Sequence, residues 1–67
     1  MVQILLNGEP REVDQGLSVA VLLDASAYAG RRVAVEINRE IVPRSQHAQR
    51  IVRDGDHIEI VQAMGGG

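Results

Sequence analysis

Leu17-Ser18-Val19-Ala20-Val21-Leu22-Leu23-Asp24-Ala25-Ser26-Ala27-Tyr28 decides the fold, because here the apolar residues recur at helical spacing. Val19, Leu22, Leu23 and Ala27 form one stripe. Ser18 is a residue type favoured at a helix N-cap, where its oxygen accepts from an unpaired backbone N–H of the first turn. Leu17 and Leu22 have the spacing of a hydrophobic staple. Gly30 can end the helix in the left-handed conformation, placing Arg31 and Arg32 beside the negative end of its dipole. The pattern predicts a helix over residues 19 to 28, with Tyr28, the only aromatic side chain, capping the edge of the core.

Upstream, Met1 to Leu6 alternates, with Val2, Ile4 and Leu6 on one face and Gln3 and Leu5 on the other, as a strand does. Asn7-Gly8 is a strong hairpin signal, since both residues tolerate the positive φ of a type I′ turn. Glu9 to Asp14 reads as a polar return strand with Val13 as its main apolar contact. Pro10 lacks a donor, which suits an edge strand. Gln15-Gly16 then breaks the chain before the helix.

Downstream, Val33, Val35 and Ile37 alternate along another strand. Asn38-Arg39 allows a turn, and Glu40-Ile41-Val42 is a short strand ended by Pro43. Ser45 to Gln49 has room for one helical or 3₁₀ turn. Asp54-Gly55-Asp56 is a sharp turn before a last strand, His57 to about Ala63. A hairpin, a helix and further strands predict a mixed sheet wrapped around the helix, in the order β-β-α-β-β-β. The helix stripe and one face of the sheet make the core. Leu5 is out of phase with Ile4 and Leu6, and Val61 with Ile58 and Ile60. Both should point to the open face, where, if their strands are neighbours, they form a docking patch with Met64.

Sixty-seven residues make one domain. A chain of this size buries only about 60% of the surface that its unfolded form exposes. With no cysteine there is no disulfide or thiolate metal site. His47 and His57 are not spaced as paired zinc ligands. A small core without staple or metal leaves little room for an internal active site, so an enzyme is not expected. A net charge of −2 argues against nucleic acid. All seven basic residues are arginine, so the chain offers no lysine on which copies of itself could be linked. No run approaches the ~18 apolar residues of a membrane span, and the N-terminus lacks a signal peptide's charged start. A soluble, cytosolic protein is expected.

The last strand runs through Gln62, Ala63 and Met64 straight into Gly65-Gly66-Gly67. Three glycines at an end are commonly no more than a frayed terminus. Glycine can also lie extended in a narrow channel and adopt angles closed to other residues. The division expected is a domain over residues 1–64 and a flexible tail over 65–67 that carries the Gly67 carboxylate to another protein's active site.

These features together resemble the thiamine-biosynthesis sulfur carriers, the ThiS family, small β-grasp proteins with the fold of ubiquitin. The resemblance spans essentially the whole chain. It is carried by Ile37-Asn38, Ile41-Val42-Pro43-Arg44, Asp54-Gly55-Asp56 and Gly66-Gly67, and Asn7-Gly8 and Ser18-Val19 with Leu22-Leu23 also fit. His47 departs from it, standing where many members have an aromatic residue; the position is suited to packing or docking its loop. The resemblance implies an α+β fold and chemistry at Gly67. A ThiF-like adenylyltransferase would use ATP and magnesium to form a C-terminal acyl-adenylate. A sulfur donor, fed by a cysteine desulfurase, would displace AMP to leave a thiocarboxylate. A ThiG-like thiazole synthase would consume it, and the carrier itself would hold no permanent cofactor. The alternatives are the small subunit of molybdopterin synthase, a TGS-like module binding a ligand or RNA, and a protein modifier forming isopeptide bonds. Asp54 and Asp56 read as turn residues. Glu36, Glu40 and Glu59 read as solvated or as partners for another protein's arginines, and His57 has no evident acid-base partner.

Overall fold

The computed structural model describes residues 1–62; Ala63, Met64 and the three glycines lie outside the described residues. Five strands run β1 (Val2–Leu6), β2 (Glu9–Val13), β3 (Val33–Ile37), β4 (Glu40–Val42) and β5 (His57–Gln62), with one helix, α1 (Val19–Asp24), between β2 and β3. They form one mixed sheet in the order β2-β1-β5-β3-β4. β5 lies in the middle, parallel to β1 and antiparallel to β3. This is the expected α+β arrangement. Both hairpins turn where expected: Asn7 and Gly8 have φ of 50° and 83°, and Asn38 and Arg39 have 52° and 70°. Pro10 lies on the edge strand β2, opposite Leu5.

The core is one cluster: Ile4 and Leu6 of β1, Val35 and Ile37 of β3, Val42 of β4, Ile58 and Ile60 of β5, Val52, and Val19 and Leu22 of the helix. Val19 is 0% exposed. Its position at the first turn is held from several directions. Ser18 Oγ accepts from Val21 N at 3.2 Å, as the N-cap expectation required. The N–H groups of Val19 and Ala20 donate to the carbonyls of Arg50 and His47, each at 2.9 Å. Donors that a helix start normally leaves unpaired are thus satisfied by the loop before β5. Leu17 packs against the core cluster beside them.

The far end of the helix departs from expectation. It stops at Asp24, and Ala27 is exposed instead of completing the apolar stripe. Ser26 explains the early stop. Its hydroxyl donates to Leu23 O at 2.8 Å and accepts from Tyr28 N at 3.1 Å, offering the backbone a turn in place of another helical rung. Gly30 does take positive φ, 73°, but in the turns leading to β3. Arg31 and Arg32 therefore follow those turns instead of the last helical rung, and they line one depression with Leu23 and Asp24. Tyr28 packs on the core edge as expected. The short turn after β4 is a 3₁₀ segment, Arg44–Gln46, one residue earlier than its expected start.

Candidate functional site: the open sheet face and the end of β5

Alternation along a pleated strand sends successive side chains to opposite faces. With the core cluster on the helix side, Gln3 and Leu5 of β1, His57, Glu59 and Val61 of β5, Ala34 and Glu36 of β3, and Ile41 of β4 share the other face. Val61 is 62% and Ile41 66% exposed, whereas Leu5 is half-buried. Leu5 and Val61 do lie on neighbouring strands, as the docking patch required. They are not side by side. Leu5 is level with His57, and Val61 is level with Ala34 of β3. Their levels stand about 13 Å apart along β5 at ~3.3 Å per residue, with His57 beside Leu5 and Glu59 between the two levels. Met64, the third member of the patch, lies outside the described residues, as do Gly65, Gly66 and Gly67.

Glu36 and Glu59 are direct neighbours across β3 and β5. Among the described residues, neither has an arginine within salt-bridge distance. The open face therefore carries unneutralised negative charge flanked by Val61 and Ala34 on one side and Ile41 on β4. Arg31, Arg32 and Arg44 border a shallow depression with Tyr28 and His47, next to the start of β3.

The course of β5 is set by two asparagines that local sequence marks only as turn residues. Asn38 holds its start. Asn38 N donates to His57 O at 2.8 Å, Oδ1 accepts from His57 N at 3.0 Å, and Nδ2 donates to Asp56 Oδ1 at 3.0 Å. Asp56 is 6% exposed and its second oxygen accepts from Arg53 N at 2.8 Å. Asp54 Oδ1 accepts from Gln3 N at 2.8 Å, and Gly55 N donates to Gln3 O at 2.7 Å. The Asp-Gly-Asp segment is a turn, docked on β1 by these bonds. No cluster of His, Cys, Asp or Glu suited to a metal ion is found among the described residues.

Asn7 holds the far half. β1 ends at Leu6, beside Ile58, while β5 continues along β3 to the Gln62–Val33 pair. Asn7 N donates to Ile58 O at 2.8 Å, and its Oδ1 accepts from Ile60 N at 2.7 Å. Its Nδ2 donates to Tyr28 Oη at 3.0 Å. Sequence reasoning reads Asn7 as hairpin punctuation and misses this. Positive φ explains an asparagine there without any side-chain role, and the bond to Ile60 crosses 53 residues of sequence.

His47 is 8% exposed, and its Nε2 lies 3.0 Å from Val42 O. A carbonyl only accepts, so Nε2 carries the hydrogen. His47 packs its loop against the sheet. His57 is exposed at the start of β5, with no side-chain hydrogen bond among the described residues. No helix among the described residues is long and apolar enough to cross a membrane.

Comparison with known proteins gives consistent likenesses. The model of the ThiS family matches residues 4–67. The sulfur carrier protein ThiS of Escherichia coli (strain K12) is 41% identical over 66 residues, covering 98% of this chain and 100% of its own. A thiazole synthase of Paramagnetospirillum magneticum is 46% identical over 66 residues; these cover 98% of this chain and only 20% of that much longer protein. The crystal structure of the thiamine biosynthesis protein ThiS from Geobacter metallireducens superposes with a TM-score of 0.81 at 38% identity, covering 98% of this chain and 100% of that one. The five-stranded sheet with its single helix is thus the β-grasp fold.

Proposed function

The chain belongs to the ThiS family, and on that premise we propose that it is a sulfur carrier for making the thiazole moiety of thiamine. The observation that carries this is the 41% identity to a sulfur carrier protein over the whole of that carrier's length. The likeness to a fifth of a thiazole synthase favours the thiamine branch over the molybdopterin one, because it joins the same domain to the enzyme that would consume the sulfur.

The reaction is proposed at Gly67, within the stretch that the family model covers. A carboxylate is a poor acyl donor. A ThiF-like adenylyltransferase, using ATP and magnesium, transfers AMP to the Gly67 carboxylate and releases pyrophosphate. Sulfide, released by a thiol reductant from the persulfide of a donor fed by a cysteine desulfurase, then attacks the acyl carbon and displaces AMP, so that a C–S bond replaces the acyl C–O bond to phosphate. The thiocarboxylate sulfur is anionic at neutral pH and attacks the substrate of a ThiG-like thiazole synthase. The carrier supplies recognition and presentation in the cytoplasm, and its partners supply catalysis and cofactors. Gly65 and Gly66 have no side chain to obstruct a narrow channel. The open face, with Val61 and Leu5 on it and Met64 beyond, is the docking surface.

The test is intact-protein mass spectrometry after incubation with ATP, magnesium, the cognate adenylyltransferase and a sulfide source. An AMP adduct followed by exchange of one oxygen for sulfur, both lost when Gly67 is deleted, is the expected result. An unchanged mass, with the enzyme shown active on another carrier, would overturn the proposal.

A further inference from the structure

β5 loses its neighbour on one side before it ends. From Ile58 onward β3 continues beside it to Gln62, but β1 has stopped at Leu6. The N–H of Ile60 faces the vacated side. Asn7 fills that place with its side chain: its amide oxygen accepts from Ile60 N at 2.7 Å, while its backbone N–H continues the ladder to Ile58 O at 2.8 Å. The orientation of the amide follows from chemistry, since a backbone N–H can only meet the oxygen. Tyr28 then fixes that orientation from the other end, accepting from Nδ2 at 3.0 Å while its ring packs on the core. The hairpin turn, β5 and the loop after the helix meet at this one amide.

We propose that Asn7 is a positioning residue for the activation of Gly67: its side chain stands in for β1 beside Ile60 and so sets the direction in which the chain leaves the sheet. The inference rests on the sulfur-carrier reading and goes beyond it. Docking is the business of the open face, whereas Asn7 and Tyr28 act at the end of the sheet. When the partner enzyme holds both the open face and the Gly67 carboxylate, a shift of β5 at Ile60 changes the fit between the two. Misplacing a reacting group by about 1 Å can cost on the order of a hundredfold in rate. Binding and turnover should therefore separate.

Three substitutions test it. Asn7→Gly keeps the positive φ of the turn but removes the amide. Asn7→Asp keeps an acceptor for Ile60 N and offers Tyr28 a second oxygen to which its hydroxyl can donate. Tyr28→Phe leaves the turn untouched and releases only the amide's far end. Steady-state adenylation by the partner enzyme is measured for each, with hydrogen exchange at the Ile60 amide. For Asn7→Gly the expected result is exchange about fivefold faster, as for the loss of one hydrogen bond. Its kcat should fall at least about tenfold with KM within about twofold. Asn7→Asp restores kcat, and Tyr28→Phe gives a smaller fall of the same kind. If Asn7→Gly does not fold, Tyr28→Phe and Asn7→Asp decide alone. Wild-type kcat in a folded Tyr28→Phe or Asn7→Gly protein with faster Ile60 exchange would overturn the positioning role. A loss shared equally by Asn7→Asp would do the same. If the wild-type protein is itself not adenylated, the sulfur-carrier reading has failed, a result distinct from both.

Discussion

Glu36 and Glu59 stand directly opposite each other across β3 and β5, on the face that the helix leaves open. Like charges so placed repel, and cross-strand pairs are worth roughly 0.2–1 kcal/mol. The expectation is that Glu36→Gln raises the unfolding free energy by an amount in that range, read as a higher denaturation midpoint. The gain should shrink in high salt, where exposed charges are screened. A midpoint that is unchanged at low salt would mean that the two carboxylates avoid each other in solution.

Val61 offers the cleaner test of the docking face, because it is 62% exposed and its loss leaves no hole in the core. Val61→Asp should fold as the wild type does and raise the KM for adenylation roughly tenfold or more, since a buried valine contributes about 1.5 kcal/mol or more. kcat should hold, because the lost contact is uniform binding. An unchanged KM would remove Val61 from the interface.

Asp56→Asn exchanges one acceptor oxygen for a donor in a buried site where both oxygens already accept, from Asn38 Nδ2 and from Arg53 N. One donor must then face another. A cost of about 1–3 kcal/mol is expected in urea unfolding. Asn38→Gly, which keeps the positive φ, should cost less in combination with Asp56→Asn than the two single changes added together, because they share one network.

Ser18→Ala removes the acceptor for Val21 N at the start of a six-residue helix. About 1 kcal/mol of stability should be lost, read from the same unfolding curves.

His47→Phe should cost about 1 kcal/mol through the unpaired Val42 carbonyl and leave adenylation unchanged, because the ring is buried away from the open face. A selective rise in KM would assign His47 a part in docking.

Local chemistry made much of this molecule legible from its residues alone. Asn7-Gly8 and Asn38-Arg39 announce their turns because few residue pairs tolerate positive φ, and alternation announces β1, β3 and β5 because a pleat has period two. Ser18 announces the helix start for the same local reason. The helix end is not legible there, because a serine hydroxyl competing for backbone partners leaves no mark in hydrophobic spacing; Ser26 decides it. What only the tertiary structure decided is where β5 lies. Its position between β1 and β3 sets Leu5 level with His57 instead of Val61, pairs Glu36 with Glu59, buries Asp56, and brings Asn7 to Ile60. Short-range preferences act on φ and ψ within a few residues. These pairings join residues far apart in the chain, and they follow from the strand order that packs the core cluster around Val19.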